Sequence, residues 1–387
     1  MAIRLGIVGG GQLGYFLCAA ARRLGVRTTV LNPVAECPAA RSADRVLAGG
    51  FDDLSAAAAL AADSDVITFE IETVAPEVLK YLGGRARAGD LRVAPGPEIL
   101  LILQNKALQK RWLVRNGIPT PDFVHLPGGP LDVDGLLRRF GLPLVQKSAV
   151  GGFDGRGVQI LRRRDQLAAL WESPSIVEAF VPGATEIAVL VARAVDGSLR
   201  TYEPVLLEMD EACNALGTVV SPAPLDDSVR RRVRRLAGDI VTGLEGVGLF
   251  AVEMFVTPDQ DVLVNEISPR VHNSGHLTLE ACQTSQFTQH LRAVLGLPLG
   301  PVEQRVPVAV MKNLLHGACF DRLCDLGGFD TMDSRTATAL HWYGKREGRP
   351  FRKMGHVTAL GENVERAGRR AESAVRALAV MGAEVFS

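Results

Sequence analysis

Residues 252–276 read VEMFVTPDQDVLVNEISPRVHNSGH, and this stretch decides both the fold and the chemistry of the chain. Two short apolar runs lead to Glu253 and Glu266, and Pro and Asp between them favour a hairpin turn at 257–261. Two adjacent strands would bring the carboxylates side by side, with Asn265 next to them. Oxygen ligands of this kind suit Mg²⁺, which also keeps waters and substrate phosphates. The pair therefore predicts a magnesium site, whereas a single Glu here would be read as a solvated charge.

Three polar residues follow the pair in the sequence PRVHNSGH, at 269–276. Beside a metal–phosphate site, Arg270, His272 and Asn273 could orient and stabilise a second anion. The two Glu with this run resemble the magnesium-binding end of the ATP-grasp enzymes. Within that superfamily, PRVHNSGH is similar to the signature of the 5-(carboxyamino)imidazole ribonucleotide synthetase family.

The composition narrows the class of protein. A length of 387 residues suggests two or three domains, and 47% apolar residues with 40 Gly fit a well-packed α/β protein. Lys plus Arg and Asp plus Glu both total 43, so no general attraction to nucleic acid or to an anionic membrane is expected. No apolar run is long enough to span a bilayer and no signal peptide is recognised, so we expect a cytoplasmic protein.

The cysteines are scattered and contain no CxxC motif, which favours a reducing compartment. His316, Cys319 and Cys324 could be drawn together as a metal site, but a fourth ligand is missing. We expect such cysteines to be buried and inert.

The N-terminus reads as a buried strand at 3–8, a glycine-rich turn GGGQLG at 9–14 and a helix. Backbone N–H groups at such a helix start can hold a phosphate. A dinucleotide site requires Asp or Glu at the end of the next strand, where this chain has Asn32, so a dinucleotide is disfavoured. A small phosphate-bearing substrate fits the turn equally well. Glu70 and Glu72 end a further strand, at the edge where open α/β sheets bind ligands; a charge at a helix start is the alternative for Glu72.

The central segment carries a second glycine-rich loop. Residues 98–116 read as one long helix with Lys106 and Lys110 on one face. Lys147 lies on a strand that leads into GGFDGRG at 151–157, followed by another strand. Strand, glycine-rich loop and strand predict a flap over phosphates, with Lys147 as a point charge; a plain surface hairpin is the alternative.

Further elements follow from periodicity and from Pro and Gly. We expect strands at 175–181 and 199–207, a helix at 276–295 and a closing helix at 363–381. Near the C-terminus, HWYGK at 341–345 and RPFRKMGH at 349–356 predict either an exposed basic hairpin or a phosphate clamp.

The resemblance covers nearly the whole chain, because GGGQLG, FEIETV, GGFDGRG, VNEISPRVHNSGH, HWYGK and RKMGH occur in the order typical of the family. Thr73 and Phe153 replace the usual Asn and Tyr, and Glu208-Met209-Asp210 departs from ENxH, so the His of that motif is absent. The implied fold is α/β and α+β, in three domains. They are a Rossmann-like pre-ATP-grasp domain at 1–97, an ATP-grasp domain at 98–298 that holds ATP between two sheets, and a small β-rich C-terminal domain at 299–387.

The resemblance also implies roles for individual residues. The residues implied to bind ATP are Lys106, Lys147, Gly152, Phe153, Asp154, Gly155, Arg156, Gly157, Glu178, Ala179, Phe180, Val181, Glu186, Asn265 and Glu266. Those implied to bind the ribonucleotide are Gln12, Leu13, Glu72, Asp154, Arg156, Lys345 and Arg352. Those implied to position carboxyphosphate are Arg270, His272 and Asn273, with Mg²⁺ on Glu253 and Glu266.

The implied activity is the ATP- and Mg²⁺-dependent carboxylation of 5-aminoimidazole ribonucleotide by bicarbonate, in purine biosynthesis, by a homodimer. Two alternatives stay open. Another ATP-grasp ligase, such as a formate-dependent transformylase, would share the nucleotide site. A nucleotide-binding protein that has lost catalysis would fit the departures at Phe153, at Asp210 and at Lys106, which stands where the family usually has an Arg.

Overall fold

Alternating strands and helices build the N-terminal part of the chain in this computed structural model, which describes residues 3–152, 157–210, 215–316, 327–346 and 350–384. The elements are β1 (Arg4–Val8), α1 (Gln12–Arg23), β2 (Arg27–Asn32), β3 (Arg45–Ala48), α2 (Leu54–Ala62), β4 (Val66–Phe69), α3 (Pro76–Ala88) and β5 (Arg92–Val93). The strands form a parallel sheet of order β3-β2-β1-β4-β5. The order reverses between β1 and β4, which is where such sheets bind ligands. The Rossmann-like prediction is confirmed.

A small antiparallel sheet follows. Its elements are α4 (Pro97–Leu103), α5 (Lys106–Arg115), β6 (Phe123–Leu126), α6 (Val133–Phe140), β7 (Leu144–Ser148), β8 (Val158–Leu161) and β9 (Ser175–Ala179). The strand order is β6-β9-β7-β8. The loop between β7 and β8 is the predicted flap; its residues Phe153, Asp154, Gly155 and Arg156 lie outside the described part of the chain.

The rest of the described chain forms a large antiparallel sheet with helices on it. The central elements are β10 (Thr185–Arg193), β11 (Leu199–Thr201), β12 (Val205–Asp210), β13 (Ala215–Ser221), α7 (Asp227–Gly243), β14 (Gly248–Val256), β15 (Val262–Ser268), α8 (Thr278–Ala281) and α9 (Gln286–Val294). The C-terminal elements are β16 (Val308–Leu315), β17 (Phe329–Asp333), β18 (Thr338–Trp342), β19 (Lys353–Gly361) and α10 (Val364–Glu384).

This sheet runs without a break from the central part into the C-terminal part. Its order is β15-β14-β10-β12-β13-β16-β19-β18-β17, with β11 paired to β10. The join is the antiparallel pairing of β13 with β16, from Thr218 opposite Lys312 to Ser221 opposite Ala309. The two parts therefore share one backbone hydrogen-bond ladder.

The predicted hairpin is confirmed. β14 pairs with β15, and Glu253 lies directly opposite Glu266. The turn closes with a hydrogen bond from Thr257 N to Asp261 O (2.9 Å), and Gln260 adopts a positive φ of 68°. The register shifts by one residue between Met254 and Glu253, so that a bulge at Asn265 brings Glu266 rather than Asn265 opposite Glu253. The sequence predicted the hairpin and the neighbouring carboxylates, but not this bulge.

The single helix predicted at 98–116 is wrong, because the chain forms α4 and α5 with a break at Asn105. The Asn105 side-chain oxygen accepts hydrogen bonds from Ala107 N (3.0 Å) and Leu108 N (3.1 Å), so this residue caps a new helix. Lys106 then stands in the first turn of α5. Lys106 and Lys110 still share one face, as predicted; Lys110 is buried and Lys106 is 13% exposed, so neither is a solvent-facing lysine.

Three further elements differ from the prediction: two are divided and one is shorter. The helix at 276–295 is divided into α8 and α9, because Ser285 caps α9 by accepting from Thr288 N (3.3 Å). The strand at 199–207 is divided into β11 and β12, and Pro204, which has no N–H for a sheet ladder, stands between them. The strand at 175–181 ends at Ala179, three residues before Pro182.

Aromatic rings and a histidine join the three parts of the chain. Phe16 of α1 packs against Phe287 of α9, with ring centroids 4.9 Å apart, and against the buried Tyr343 after β18 (6.2 Å). His341 of β18 contacts two carboxylates, through Nδ1 to Asp330 Oδ1 (2.7 Å) and through Nε2 to Glu280 Oε1 (2.8 Å). This junction holds all three parts around one cavity.

Candidate active site

A cavity of about 800 Å³ lies where the three parts of the chain meet. The N-terminal sheet contributes the glycine-rich turn and the end of β4, the two remaining sheets contribute β7, β9, β14 and β15, and the C-terminal part contributes basic residues. Predicted site residues that line it are Gln12, Leu13, Glu72, Lys106, Lys147, Gly152, Glu178, Ala179, Phe180, Val181, Glu186, Glu253, Asn265, Glu266, Arg270, His272, Asn273, Lys345 and Arg352. Residues 200 and more positions apart in sequence thus face one space.

The start of α1 differs from the prediction. The buried carboxylate of Glu70 accepts hydrogen bonds from Gly11 N (2.6 Å) and Gly14 N (3.1 Å). The Gly10 N–H donates to Asn32 Oδ1 (3.1 Å). The N–H groups of Gly10, Gly11 and Gly14 are therefore already paired within the protein, so none of these three is offered to a phosphate. Burial raises the pKa of Glu70.

The paired carboxylates lie at the centre of the cavity wall. Glu266 forms an ion pair with Lys106, and Glu253 lies 3.5 Å from His272 Nε2. Burial, then repulsion from Glu266 and Glu186, raises the pKa of Glu253 to about 8. Burial also opposes ionisation of Glu266, but Lys106 outweighs it and lowers the pKa of that carboxyl. One lysine thus compensates only one of the two carboxylates.

The donor set fits a Mg²⁺ ion that is shared with a substrate. Within the described residues, no group of three or more His, Cys, Asp or Glu side chains could hold a metal by itself. Two carboxylates and the Asn265 amide oxygen lie beside the open cavity. They would leave the remaining coordination positions of Mg²⁺ to water and phosphate oxygens, which are its usual ligands. A cation here would also relieve the repulsion that raises the pKa of Glu253.

A buried charge cluster lies next to this pair. Glu178 on β9 forms ion pairs with Lys147 on β7 and with Lys110 on α5, whose Nζ is 3.0 Å from Glu178 Oε2. Lys147 Nζ also donates to Asn265 Oδ1 (2.7 Å). The predicted flap lysine thus faces the cavity, while the side chain of Glu178 is committed to two ammonium groups and leaves only the backbone after β9 for an adenine.

Residues after β15 connect the central part to the N-terminal sheet. Arg270 Nε lies 3.0 Å from Glu72 Oε1, so two predicted site residues form an ion pair across the cavity. His272 Nδ1 is 2.9 Å from Ser274 Oγ. Asn273 exchanges two hydrogen bonds with Asn313 of β16, at 3.0 and 2.7 Å. The Asn273 amide is therefore fixed by the C-terminal part of the chain.

The basic residues of the C-terminal part close the cavity. Lys345 is buried, and its Nζ donates to Lys353 O (2.7 Å). Arg352 and Lys353 also line the space. The predicted clamp residues are thus at the cavity rather than on an exposed hairpin.

Sequence reasoning missed three residues of this site. Lys353 lies inside the motif RKMGH, and the adjacent basic residues of that motif could have indicated that Lys353 belongs to the site. Glu70 was placed at the right strand end, but its role as a cap of α1 has no sequence signal. Lys110 was recognised only as sharing a face with Lys106, and its partner Glu178 is 68 positions away.

Gly157 is the one described residue among the predicted sites that does not line the cavity; its carbonyl accepts from Ser148 N (2.8 Å).

Three family models match successive parts of the chain. They are the ribonucleotide synthetase preATP-grasp domain at 1–104, the ATP-grasp domain at 111–287 and the phosphoribosylaminoimidazole carboxylase C-terminal domain at 309–370. Together they follow the order of the three parts described above.

Characterised relatives agree with these models. The chain is 36% identical over 363 residues to N5-carboxyaminoimidazole ribonucleotide synthase of Synechococcus elongatus, covering 92% of this chain and 88% of that one. The crystal structure of the Thermotoga maritima synthetase is 36% identical with a TM-score of 0.81, over 97% of this chain and 98% of that one.

An Aspergillus clavatus structure, solved in complex with ADP and 5-aminoimidazole ribonucleotide, is 30% identical with a TM-score of 0.85 and covers 98% of this chain and 99% of that one. By its sequence, its fold and the order of its domains, this chain belongs to the N5-carboxyaminoimidazole ribonucleotide synthase family of ATP-grasp ligases.

Proposed function

We propose that the chain carries out the family's reaction, the ATP-dependent carboxylation of the exocyclic amine of 5-aminoimidazole ribonucleotide by bicarbonate. The products are N5-carboxyaminoimidazole ribonucleotide, ADP and phosphate. The observation that carries the proposal is the single cavity in which Glu253 and Glu266, Arg270 and His272, and the C-terminal cations all meet. Such a site can bind two phosphorylated substrates together and keep an unstable intermediate between them.

ATP would lie between the β9 edge and the β14–β15 hairpin. The backbone of Ala179, Phe180 and Val181 would meet the adenine, and Glu186 would accept from the ribose hydroxyls. Lys106 and Lys147 would contact the phosphates. The loop from Gly152 to Gly157, with Phe153, Asp154, Gly155 and Arg156, would cover them.

Glu253 and Glu266, with Asn265 beside them, would hold Mg²⁺. When bound, this ion supplies charge neutralisation to the phosphoryl oxygens. The residues of the chain do the remaining work, which is to align bicarbonate with the nucleotide and to exclude water.

The reaction has two steps. A bicarbonate oxygen attacks the terminal phosphorus of ATP, which gives carboxyphosphate and ADP. The amine nitrogen of the ribonucleotide then attacks the carboxyl carbon, or CO₂ released from it; phosphate leaves and the amine loses a proton. Arg270, His272 and Asn273 would position the carboxyphosphate, and the two hydrogen bonds to Asn313 would fix the Asn273 amide.

The ribonucleotide would bind at the N-terminal side of the same space. Gln12, Leu13 and Glu72 would face the base and sugar, and Asp154 and Arg156 would help to hold the ribonucleotide. Lys345 and Arg352 would grip the 5′-phosphate. The ion pair between Arg270 and Glu72 supports this arrangement, because it ties the ribonucleotide side to the carboxyphosphate side.

Replacing Arg270 by Ala tests the assignment. We expect carboxylation to fall by at least about a hundredfold, since a donor to the reacting anion is lost, while ADP still binds. A coupled assay for ADP, with aminoimidazole ribonucleotide and with or without bicarbonate, measures the activity. The exposed Arg235 provides the matched control, Arg235→Ala, which should retain full activity. Normal turnover of Arg270→Ala would refute the role.

The same assay separates the alternatives. ADP release that requires formate and a different ribonucleotide would indicate a transformylase. ADP release at background with every substrate pair would indicate a binding protein without catalysis.

We also propose the domain limits 1–97, 98–298 and 299–387, a cytoplasmic location and a homodimer. The described cysteines Cys18, Cys37 and Cys282 are free thiols, which supports a reducing compartment. No helix in the described ranges is long and apolar enough to cross a membrane. The homodimer rests on the family resemblance, and light scattering after size-exclusion chromatography tests it.

A further inference from the structure

Lys110 is a buried cation that the reaction described above does not use. Its side chain is 3% exposed, and its Nζ lies 3.0 Å from Glu178 Oε2 and 2.6 Å from Thr120 Oγ1. It does not line the large cavity, although Glu178 and Lys147 do. Glu178 therefore has one lysine on the cavity side and one on the interior side.

The charges of Lys110, Glu178 and Lys147 contribute to the attraction that this side of the cavity exerts on a phosphate. When a buried carboxylate contacts a single lysine, the two opposite charges almost cancel for any group that lies several ångströms away. Glu178 is ionised, since burial is outweighed by Lys110 and Lys147, which lower the pKa of Glu178 to about 2. With both lysines present, the cluster keeps one net positive charge next to the cavity.

We propose that Lys110 is a positioning residue for the nucleotide phosphates: it neutralises Glu178 from the interior, so that Lys147 keeps its charge for the ligand. The inference rests on the proposed contact between Lys147 and the phosphates. It also explains why an ionised Glu is placed beside a phosphate-binding lysine, because Glu178 holds Lys147 in place without cancelling the cluster's charge.

Lys110→Met tests the inference, because Met keeps the apolar stem and removes the ammonium. We expect the affinity for ADP, measured by calorimetry, to fall about tenfold through the loss of one unit charge near the phosphates. The affinity for adenosine, which has no phosphate, should stay within about twofold of the original. A purely structural role would distort β9 and weaken both ligands alike.

A double-mutant cycle makes the test independent of the folding of one variant. The net charge of the cluster is zero in Lys110→Met, one in the original protein and in Lys110→Met/Glu178→Gln, and two in Glu178→Gln. ADP affinity should follow this order, with the double variant close to the original. If Lys110→Met does not fold, the comparison of Glu178→Gln with the double variant still measures the effect of Lys110.

Two controls separate the possible failures. Thr120→Val removes a hydrogen-bond partner of Lys110 but no charge, so ADP affinity should be unchanged. Lys147→Met should weaken ADP; if it does not, the proposed phosphate contact of Lys147 fails. If Lys147→Met weakens ADP but Lys110→Met does not, or if Lys110→Met weakens ADP and adenosine equally, the inference about Lys110 is overturned and the proposed function stands.

Discussion

At the scale of single residues, Glu70 was placed correctly at the end of β4, but its contact with the start of α1 was not predicted. The end of β4 was readable from its apolar run, and so was the turn before α1. The N–H groups at a helix start attract any anion, and a carboxylate of the same protein competes with a ligand phosphate. The sequence does not show that Glu70 reaches Gly11 and Gly14, because that contact depends on β1 and β4 being neighbours.

Glu70→Met should destabilise the protein. The variant leaves two N–H groups at a buried helix start without an acceptor, which costs about 1–3 kcal/mol. Glu70→Gln keeps one side-chain oxygen and should lose less. Urea unfolding measures both, with Glu77→Gln on the exposed start of α3 as the control, expected within about 0.5 kcal/mol of the original. Equal stability of Glu70→Met and the original would contradict the capping role.

At the scale of elements, the sequence was most informative where turn residues separate apolar runs and least where one polar residue ends a helix. The β14–β15 hairpin was predictable because its turn holds Pro and Asp, although the bulge that brings Glu266 opposite Glu253 was not. The break between α4 and α5 was not, since Gln104-Asn105-Lys106 contains neither Gly nor Pro. Asn is a good N-cap but also occurs inside helices, so the break depends on where α5 packs.

Asn105→Ala should destabilise the protein by about 1 kcal/mol, because Ala cannot accept from Ala107 N and Leu108 N. Asn105→Asp keeps the acceptor and should preserve stability. Asn116→Ala, at the exposed end of α5, is the matched control. Denaturant unfolding monitored through the helical signal distinguishes the three variants; a loss in Asn116→Ala as large as in Asn105→Ala would argue against a specific cap.

At the scale of the whole molecule, the order of motifs predicted the three parts, but the contacts between them were not readable. The residues around His341 come from β18, α8 and β17, so no local pattern connects them. Burial alone would lower the pKa of His341, but the hydrogen bonds to Asp330 and Glu280 outweigh it and raise the pKa to about 9. The junction is therefore held by a charged imidazole between two carboxylates.

This charge makes stability depend on pH in a defined direction. The folded pKa of about 9 lies above the ordinary value of 6.5, so the stabilisation is complete below about pH 6.5 and disappears as the pH rises through about 9. The free energy of unfolding that the charged His341 contributes, and that is lost at high pH, is roughly 3 kcal/mol. Urea unfolding at pH 6.5 and pH 9.5 should show a decline in the original protein that His341→Gln lacks; parallel curves for the two proteins would show that His341 does not carry the effect.

The ladder between β13 and β16 has a consequence for any attempt to divide this enzyme. A cut in the connection between α9 and β16 would give two pieces, each with a bare strand edge whose N–H and C=O groups need a partner. Neither piece would be a free-standing module, yet the two edges match each other along Thr218 to Ser221. The two co-expressed fragments should therefore associate and restore activity, so this junction is suitable for a split reporter.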